Sequence, residues 1–216
     1  MKYRFDFSAA ERRALSALKT PAKIQDFLDR LKYNLEEDGE TLYSPRLALR
    51  EGKADCIEGA ILAAAALRCL GYPPLIMNLR SVRDDDHVVA VFSKSGGWGA
   101  LSKSKYTGLR YREPIHRNLR ELALTYFESY FNYHGEKTMR GYSKALDLSR
   151  FDDINWMTTE TYLYCINDSL QTLRHYPLLG SGAVRSVRRV TPDMKDAGEL
   201  WMKTTGILAK ARAMGS

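Results

Sequence analysis

A cysteine, a histidine and a serine occur in an order that suits acyl transfer. Cys56 opens an alanine-rich segment, His87 opens a short apolar run after Asp84-Asp85-Asp86, and Ser102 follows a run that begins at Trp98. A thiol at a helix N-terminus faces unpaired backbone N–H groups, which stabilise a thiolate. Those same groups can hold the oxyanion that forms when the sulfur attacks a carbonyl. An imidazole nearby can take the thiol proton and return it to the leaving group. Cys56 is therefore the candidate nucleophile and His87 its base. Ser102 is the candidate for orienting the imidazole, and Asp55 and Trp98 are the candidates for meeting substrate. For Trp98 the competing reading is simple packing. For Asp84–Asp86, a solvated loop competes with a metal-binding cluster. Cys69 and Cys165 have no such partner and read as core residues, while His116, His134 and His175 read as surface or packing residues.

The elements that must position these groups follow from pattern. Residues 8–35 read as two helices. Ser8 and Glu11 form a capping box, and the second helix starts near Thr20-Pro21 and carries Ile24, Phe27, Leu28, Leu31 and Leu35 at helical spacing. The acidic run Glu36-Glu37-Asp38-Gly39 ends it, and a short helical turn over 45–51 stops at Gly52. From Cys56 the chain is rich in Ala and Leu as far as Gly71, a natural helix stop, with Cys56, Ala60, Ala63, Leu67 and Leu70 on one stripe. The period then changes. Leu75–Leu79, Val88–Phe92 and Trp98–Leu101 read as strands, the last two forming a hairpin around residues 93–97. Such a hairpin brings 87 near 102–103. The pattern turns helical again from Pro114 and over 158–174, and the tail at 182–213 holds a basic patch and an amphipathic helix. The fold class is α+β, with helices first and a small antiparallel sheet after them. Residues 1–180 form one domain and 181–216 a basic helical extension packed on or beside it. Gly180-Ser181-Gly182 is the candidate hinge.

The segment Asp55-Cys56-x-Glu58-Gly59-Ala60 through Leu67-Arg68-x-Leu70-Gly71-Tyr72 resembles the nucleophile motif of the transglutaminase-like, papain-related cysteine enzymes. Asp86-His87-Val88-Val89-Ala90-Val91-Phe92 resembles the histidine strand of that family, and Gly96-Gly97-Trp98-x-x-Leu101 the strand after it. The resemblance covers about residues 45–103. It implies a papain-like core and a Cys-His-Asp triad that hydrolyses or transfers acyl groups through a thioester, acting on a peptide or a small amide or ester without metal or cofactor. The third position departs from the family, because Ser102 stands where an aspartate is usual. Three explanations remain open: Ser102 orients His87 alone, the Asp84–Asp86 loop supplies the carboxylate, or the site has lapsed and only binds.

Composition bounds the rest. The chain has 216 residues, 44% of them hydrophobic and 27% charged, which suits one folded domain. The start, MKYRFDFSAAERR, lacks the apolar run of a signal peptide, and no stretch is long and apolar enough to span a bilayer, so the expected location is cytoplasmic, with no membrane partner. Three cysteines without a C-x-x-C spacing indicate neither zinc nor a disulfide framework. A net charge of +7, partly concentrated in Arg185, Arg188 and Arg189, allows nucleic acid as a partner, although a solvated basic face is the plainer reading. The Tyr106–Glu113 run, with Arg110, Tyr111 and Arg112, mixes bases and aromatics and could stack on a nucleic acid. A connection that braces the site is the simpler role.

Overall fold

The computed structural model describes residues 5–37 and 39–214. Asp38 and the first four residues, which figure in the loop and leader readings above, lie outside that range.

Helices α1 (Ala9–Ser16), α2 (Pro21–Arg30) and α3 (Pro45–Glu51) begin at Ser8, Thr20 and Ser44, whose side chains accept from backbone N–H groups three residues on. Proline at the first position of α2 and α3 loses a donor that a helix start leaves unpaired in any case. Gly52 ends α3 at φ 64°, a left-handed turn that only glycine enters without a Cβ penalty. The second helix stops before Leu35, contrary to the periodic reading. Lys32–Tyr33 (β1) leaves it to pair in parallel with Lys53–Ala54 (β2), which lies just before the cysteine helix. That pairing gains interstrand hydrogen bonds, which a continued helix would forgo.

Helix α4 (Cys56–Cys69) is the centre of the molecule. Every residue from Ile57 to Leu67 is buried, so the expected apolar stripe is instead a cylinder buried on all sides, apolar except for Glu58. Alanine makes this possible, because its small side chain lets α1, α2 and α3 pack on one side and a sheet on the other. At the far end the Arg68 guanidinium meets the Asp152 carboxylate through two bonds, of 2.5 and 2.8 Å. Cys69, beside it, is exposed, as is Cys165, so neither is a core thiol.

The sheet is larger than the three strands legible in the sequence. Strands β3 (Leu75–Ser81), β4 (His87–Lys94) and β5 (Gly97–Leu101) form its centre. Around them lie β6 (Arg112–His116), β7 (Met139–Ser143), β8 (Leu146–Asp147) and β9 (His175–Pro177). The order is β6-β5-β4-β3-β7-β9, with β8 also on β3, and every pairing is antiparallel. Ser95 and Gly96, both at positive φ, close the β4–β5 hairpin, as two-residue turns of this twist require. Residues 112–116 pair with β5, so the helix expected from Pro114, α5 (Leu119–Phe127), starts only after Asn118 caps it. Of the helix expected over 158–174, only α6 (Tyr164–Gln171) forms.

The sheet separates two cores. Val88, Ala90 and Phe92 of β4 face α4, while Val89 and Val91 face a second cluster containing Tyr126, Tyr130 and Phe131. Helices α7 (Ser181–Val184), α8 (Pro192–Gly198), α9 (Leu200–Thr204) and α10 (Leu208–Met214) replace the single amphipathic helix expected in the tail. Met202 and Ala211 enter the second core, so the tail is packed on the body. The molecule is thus α+β, with an antiparallel sheet between helical layers. Among the described residues no helix is long and apolar enough to cross a membrane.

Candidate functional site

Two carboxyl groups, half-buried Asp55 and fully buried Glu58, build the start of α4. Asp55 is its N-cap and accepts from the Glu58 N–H at 2.8 Å, and Glu58 accepts from the Asp55 N–H at 2.9 Å. Glu58 is fully buried and also accepts from the Asn34 amide, the Thr41 hydroxyl and the Tyr43 N–H. The loop over 34–43 is thereby fastened to the first turn of the helix. From the other side Lys103 presses close: a Cβ on Gly59 would stand 2.4 Å from the Lys103 Cβ. Cys56 is held between these supports. The Cys56 N–H makes no hydrogen bond among the described residues, as expected for the first turn of a helix.

The Cys56 Sγ lies 3.8 Å from the Asp86 carbonyl oxygen, the residue before His87. Cys56 and His87 line one cavity of about 520 Å³, although no hydrogen bond joins them directly. Asp55, Asp84, Asp85, Asp86, Tyr33 and Lys105 share its walls.

His87 is buried, and its ring is held on three sides. Tyr126 and Tyr130 lie with ring centroids 6.4 Å away. The His87 Nε2 stands 2.9 Å from both the Ser102 Oγ and the Leu109 carbonyl oxygen. A carbonyl can only accept, so Nε2 carries the proton and Nδ1 keeps its lone pair. Ser102 in turn donates to the Leu109 carbonyl at 2.6 Å, which leaves its oxygen free to accept from His87. The tautomer with Nδ1 as the basic nitrogen is therefore imposed by a main-chain carbonyl and a hydroxyl together.

The aspartate loop does not supply a carboxylate to this imidazole. Asp84 accepts from the Thr138 hydroxyl, Asp85 lies 3.6 Å from the Lys105 ammonium, and Asp86 accepts from the Ser81 N–H and the Asn78 amide. Among the described residues no three His, Cys, Asp or Glu side chains converge to hold a metal.

Electrostatics favour a neutral pair at rest. Burial, and then the Asp55 charge, push the Cys56 thiol well above its usual range, although the Val88 N–H works the other way. Burial pushes His87 down to about 4, against the pull of the Leu109 carbonyl. Burial also raises the Asp55 carboxyl, and the Glu58 charge adds to this.

Of the residues singled out in the sequence, Cys56, His87 and Asp55 meet at the cavity, and Ser102 stands behind His87. Trp98 does not line it: its backbone pairs with Ser93, and its side chain packs against the second core. Arg185, Arg188 and Arg189 are exposed, and Arg189 pairs with Glu136. Segment 106–113 braces the site. It delivers the Leu109 carbonyl, the Tyr126 hydroxyl donates to the Arg110 carbonyl, and Arg112 lies over the Tyr126 ring. Leu109 escaped sequence reading because a carbonyl oxygen leaves no trace in residue type. Glu58 was legible, since Asp-x-x-Glu at a helix start is the capping-box pattern.

No protein-family model matches the chain, and no curated protein matches it either.

Proposed function

We propose that the chain is a thiol-dependent hydrolase or acyltransferase of the transglutaminase-like, papain-related kind, acting on an amide or ester carbonyl at Cys56. The observation that carries this reading is the tautomer of His87: its Nε2–H is committed to Leu109 and Ser102, so Nδ1 is the basic nitrogen of an imidazole that lines the same cavity as a helix-start cysteine. A papain-like core accounts for both placements, with the nucleophile on a buried helix and the base at the start of an adjacent strand.

Because both charged forms are disfavoured at rest, the proton moves as the sulfur attacks rather than beforehand. Imidazole Nδ1 takes it, a C–S bond forms, and the carbonyl oxygen gains negative charge. The Cys56 N–H, at the first turn of the helix, is the proposed donor to that charge. Collapse breaks the C–N or C–O bond, and the imidazolium returns the proton to the leaving group. Water or an amine then resolves the thioester by the reverse path.

Alkylation tests this reading. Cys69 and Cys165 are exposed and Cys56 is half-buried, so access alone favours the first two. An activated Cys56 reacts with iodoacetamide near neutral pH at least as fast as they do, and His87→Ala slows Cys56 by about tenfold or more while leaving the other two unchanged. A Cys56 rate indifferent to His87 would remove the proposed enzymology.

One observation favours a second reading, a binding module whose chemistry has lapsed: among the described residues no carboxylate meets His87 to stabilise its cation. Loss of such a carboxylate in a serine triad costs about 10⁴ in turnover. Under the lapsed reading Ser102→Ala leaves the Cys56 rate as it is, and Ser102→Asp raises it. The Leu109 carbonyl, already 2.6 Å from the Ser102 Oγ, would repel an added carboxylate, so the segment must shift to admit one.

A further inference from the structure

Cys56 and His87 share no direct hydrogen bond, so other atoms must hold the sulfur and the imidazole in place. Asp86 touches both residues. Its carbonyl oxygen accepts from the Cys56 thiol at 3.8 Å, and its peptide bond leads straight into His87. Burial, and then the Asp55 charge, raise the Cys56 thiol, while the Val88 N–H draws it back down. The sulfur therefore meets the main chain on both sides of His87. Where the Asp86 backbone stands decides where the thiol proton starts and how far it lies from its acceptor.

The Asp86 carboxylate anchors that backbone to β3. One oxygen accepts from the Ser81 N–H at 2.7 Å, and the other accepts from the Asn78 side-chain amide at 2.8 Å. Asn78 is fully buried, and its second amide hydrogen goes to the Nε2 of His175 in β9, 3.1 Å away. The His175 Nδ1 lies 2.9 Å from the Leu173 carbonyl oxygen, which can only accept. Nδ1 therefore carries the proton, and Nε2 is the acceptor that Asn78 needs. Turning the Asn78 amide over would set its oxygen against the Asp86 carboxylate. The orientation is forced, and it leaves the Asn78 Oδ1 buried without a hydrogen-bond partner among the described residues. An apolar residue of similar size in this central strand would avoid that penalty. An orphaned acceptor kept in the middle of a sheet calls for a role other than stability.

We propose that Asp86 is a positioning residue for the reaction at Cys56, with Asn78 and His175 as its support. The carboxylate, clamped to β3, fixes both the carbonyl that holds the thiol and the start of the strand that carries the base. It is taken up by Ser81 and Asn78 rather than by the imidazole, so it acts through the backbone and not as the third member of a triad. A misplacement of about 1 Å at a reacting pair can cost about a hundredfold in rate, which is the scale on which such a clamp matters. The proposal rests on Cys56 and His87 acting as nucleophile and base in the proposed function.

A double-mutant cycle with His87, read by iodoacetamide alkylation of Cys56, tests it, and exposed Cys69 and Cys165 serve as internal controls. Alkylation forms the C–S bond, expels iodide and passes the thiol proton to the base. Asp86→Ala is expected to slow Cys56 by about tenfold when His87 is present, and by less than about twofold in the His87→Ala background, with the controls unchanged. Asn78→Ala should show the same pattern on a smaller scale. Asp86→Asn keeps an acceptor for the Ser81 N–H but turns an NH₂ toward the Asn78 amide. Its rate should fall between those of the parent and the alanine variant, and it carries the cycle if the alanine variant does not fold. A general loosening of the fold would change the Cys56 rate by the same factor in both backgrounds, and that outcome overturns the proposal. So does a rate in the Asp86 variants that matches or exceeds the parent's. In the parent, the imidazole ¹⁵N signals of His175 should place its proton on Nδ1; a proton on Nε2 would mean a reversed Asn78 amide and would remove the support. A Cys56 rate that ignores His87→Ala in the parent overturns the proposed function, and this proposal with it.

Discussion

His87 is the residue on which the chemistry and the stability of this chain meet. Its imidazole is buried and held down to about 4 against an ordinary 6.5, so the folded state keeps it neutral where an unfolded chain would charge it. The sign follows from proton counting. Below pH 6.5 the unfolded state binds a proton that the folded state refuses, so stability falls with pH until about pH 4, where both states are protonated. A shift of this size corresponds to about 3 kcal/mol. Denaturant titrations at pH 7 and pH 4 should therefore show His87→Gln losing less stability between the two values than the parent, by up to that amount. An equal loss in both would mean that the imidazole is not buried neutral. Ser102 gives a second test. Its hydroxyl shares Nε2 with the Leu109 carbonyl, so Ser102→Ala leaves one acceptor in place. The expected outcome under the enzymatic reading is a several-fold slower alkylation of Cys56, well short of the effect of His87→Ala. Loss as large as that of the histidine variant would show that the carbonyl alone does not orient the ring.

Helix α4 brings its first turn to the cavity only because its surroundings locate it closely. Glu58 accepts from four partners, namely Asn34, Thr41, Tyr43 and Asp55, and every one of them is a donor. In Glu58→Gln an amide NH₂ must face some of those donors, and the lost charge-assisted bonds should cost about 3 kcal/mol, read as a lower denaturation midpoint. A midpoint within experimental error of the parent would show that the loop over 34–43 is not fastened through this carboxylate. Gly59 sits one residue further along, where the helix meets Lys103. Alanine usually favours a helix over glycine by about 1 kcal/mol. Here the added methyl would lie 2.4 Å from the Lys103 Cβ, and overpacking of that kind costs about 1–3 kcal/mol. Gly59→Ala is thus expected to lower the melting temperature, the reverse of its effect in a solvent-facing helix. The displaced segment also carries Ser102, so the environment of His87 should change with it, as its imidazole NMR signals would report.

At the scale of the whole molecule, the C-terminal helices wall the cavity. Ala211 of α10 lines it, and Trp201 of α9 lies against Tyr33, another lining residue, at 6.5 Å. Two cations lie close to the Trp201 ring, the Lys103 Nζ at 5.0 Å and the Arg110 guanidinium at 5.3 Å. Burial lowers Lys103 to about 8, and Arg110 adds to this; the ammonium also donates to the Leu31 carbonyl at 2.5 Å. Glu199, fully buried, holds Lys195 and Arg212 and so ties α8, α9 and α10 together. Removing the indole should loosen this wall. Trp201→Ala is expected to raise the rate at which a bulky maleimide reaches Cys56 by several-fold, with Cys69 unchanged because it lies at the opposite end of α4. An unchanged Cys56 rate would mean that the tail does not govern access.

Much of the plan of this protein was legible in its residues because the signals are local. Capping side chains, Pro-first helix starts, the Ala-rich run to Gly71 and the turn segment over 93–97 each act within a few positions, and the structure bears out the elements they mark. The cysteine-before-histidine order, and the expectation that the hairpin brings residue 102 to His87, were also legible, because strand register follows from turn length. Other features depended on contacts between distant segments. Strands β6, β7 and β9 carry weak alternation and exist because partners await them across the sheet. Trp98, marked by residue type, faces away from the cavity, since side chains along a strand alternate between its two faces. The acceptor for His87 is the main-chain oxygen of Leu109, and the carboxyl groups at the cavity come from separate loops. Residue type could name the nucleophile and the base, but only the folded chain could decide which nitrogen carries the proton and what charge surrounds the sulfur, because both are set by atoms that are far apart in sequence and adjacent in space.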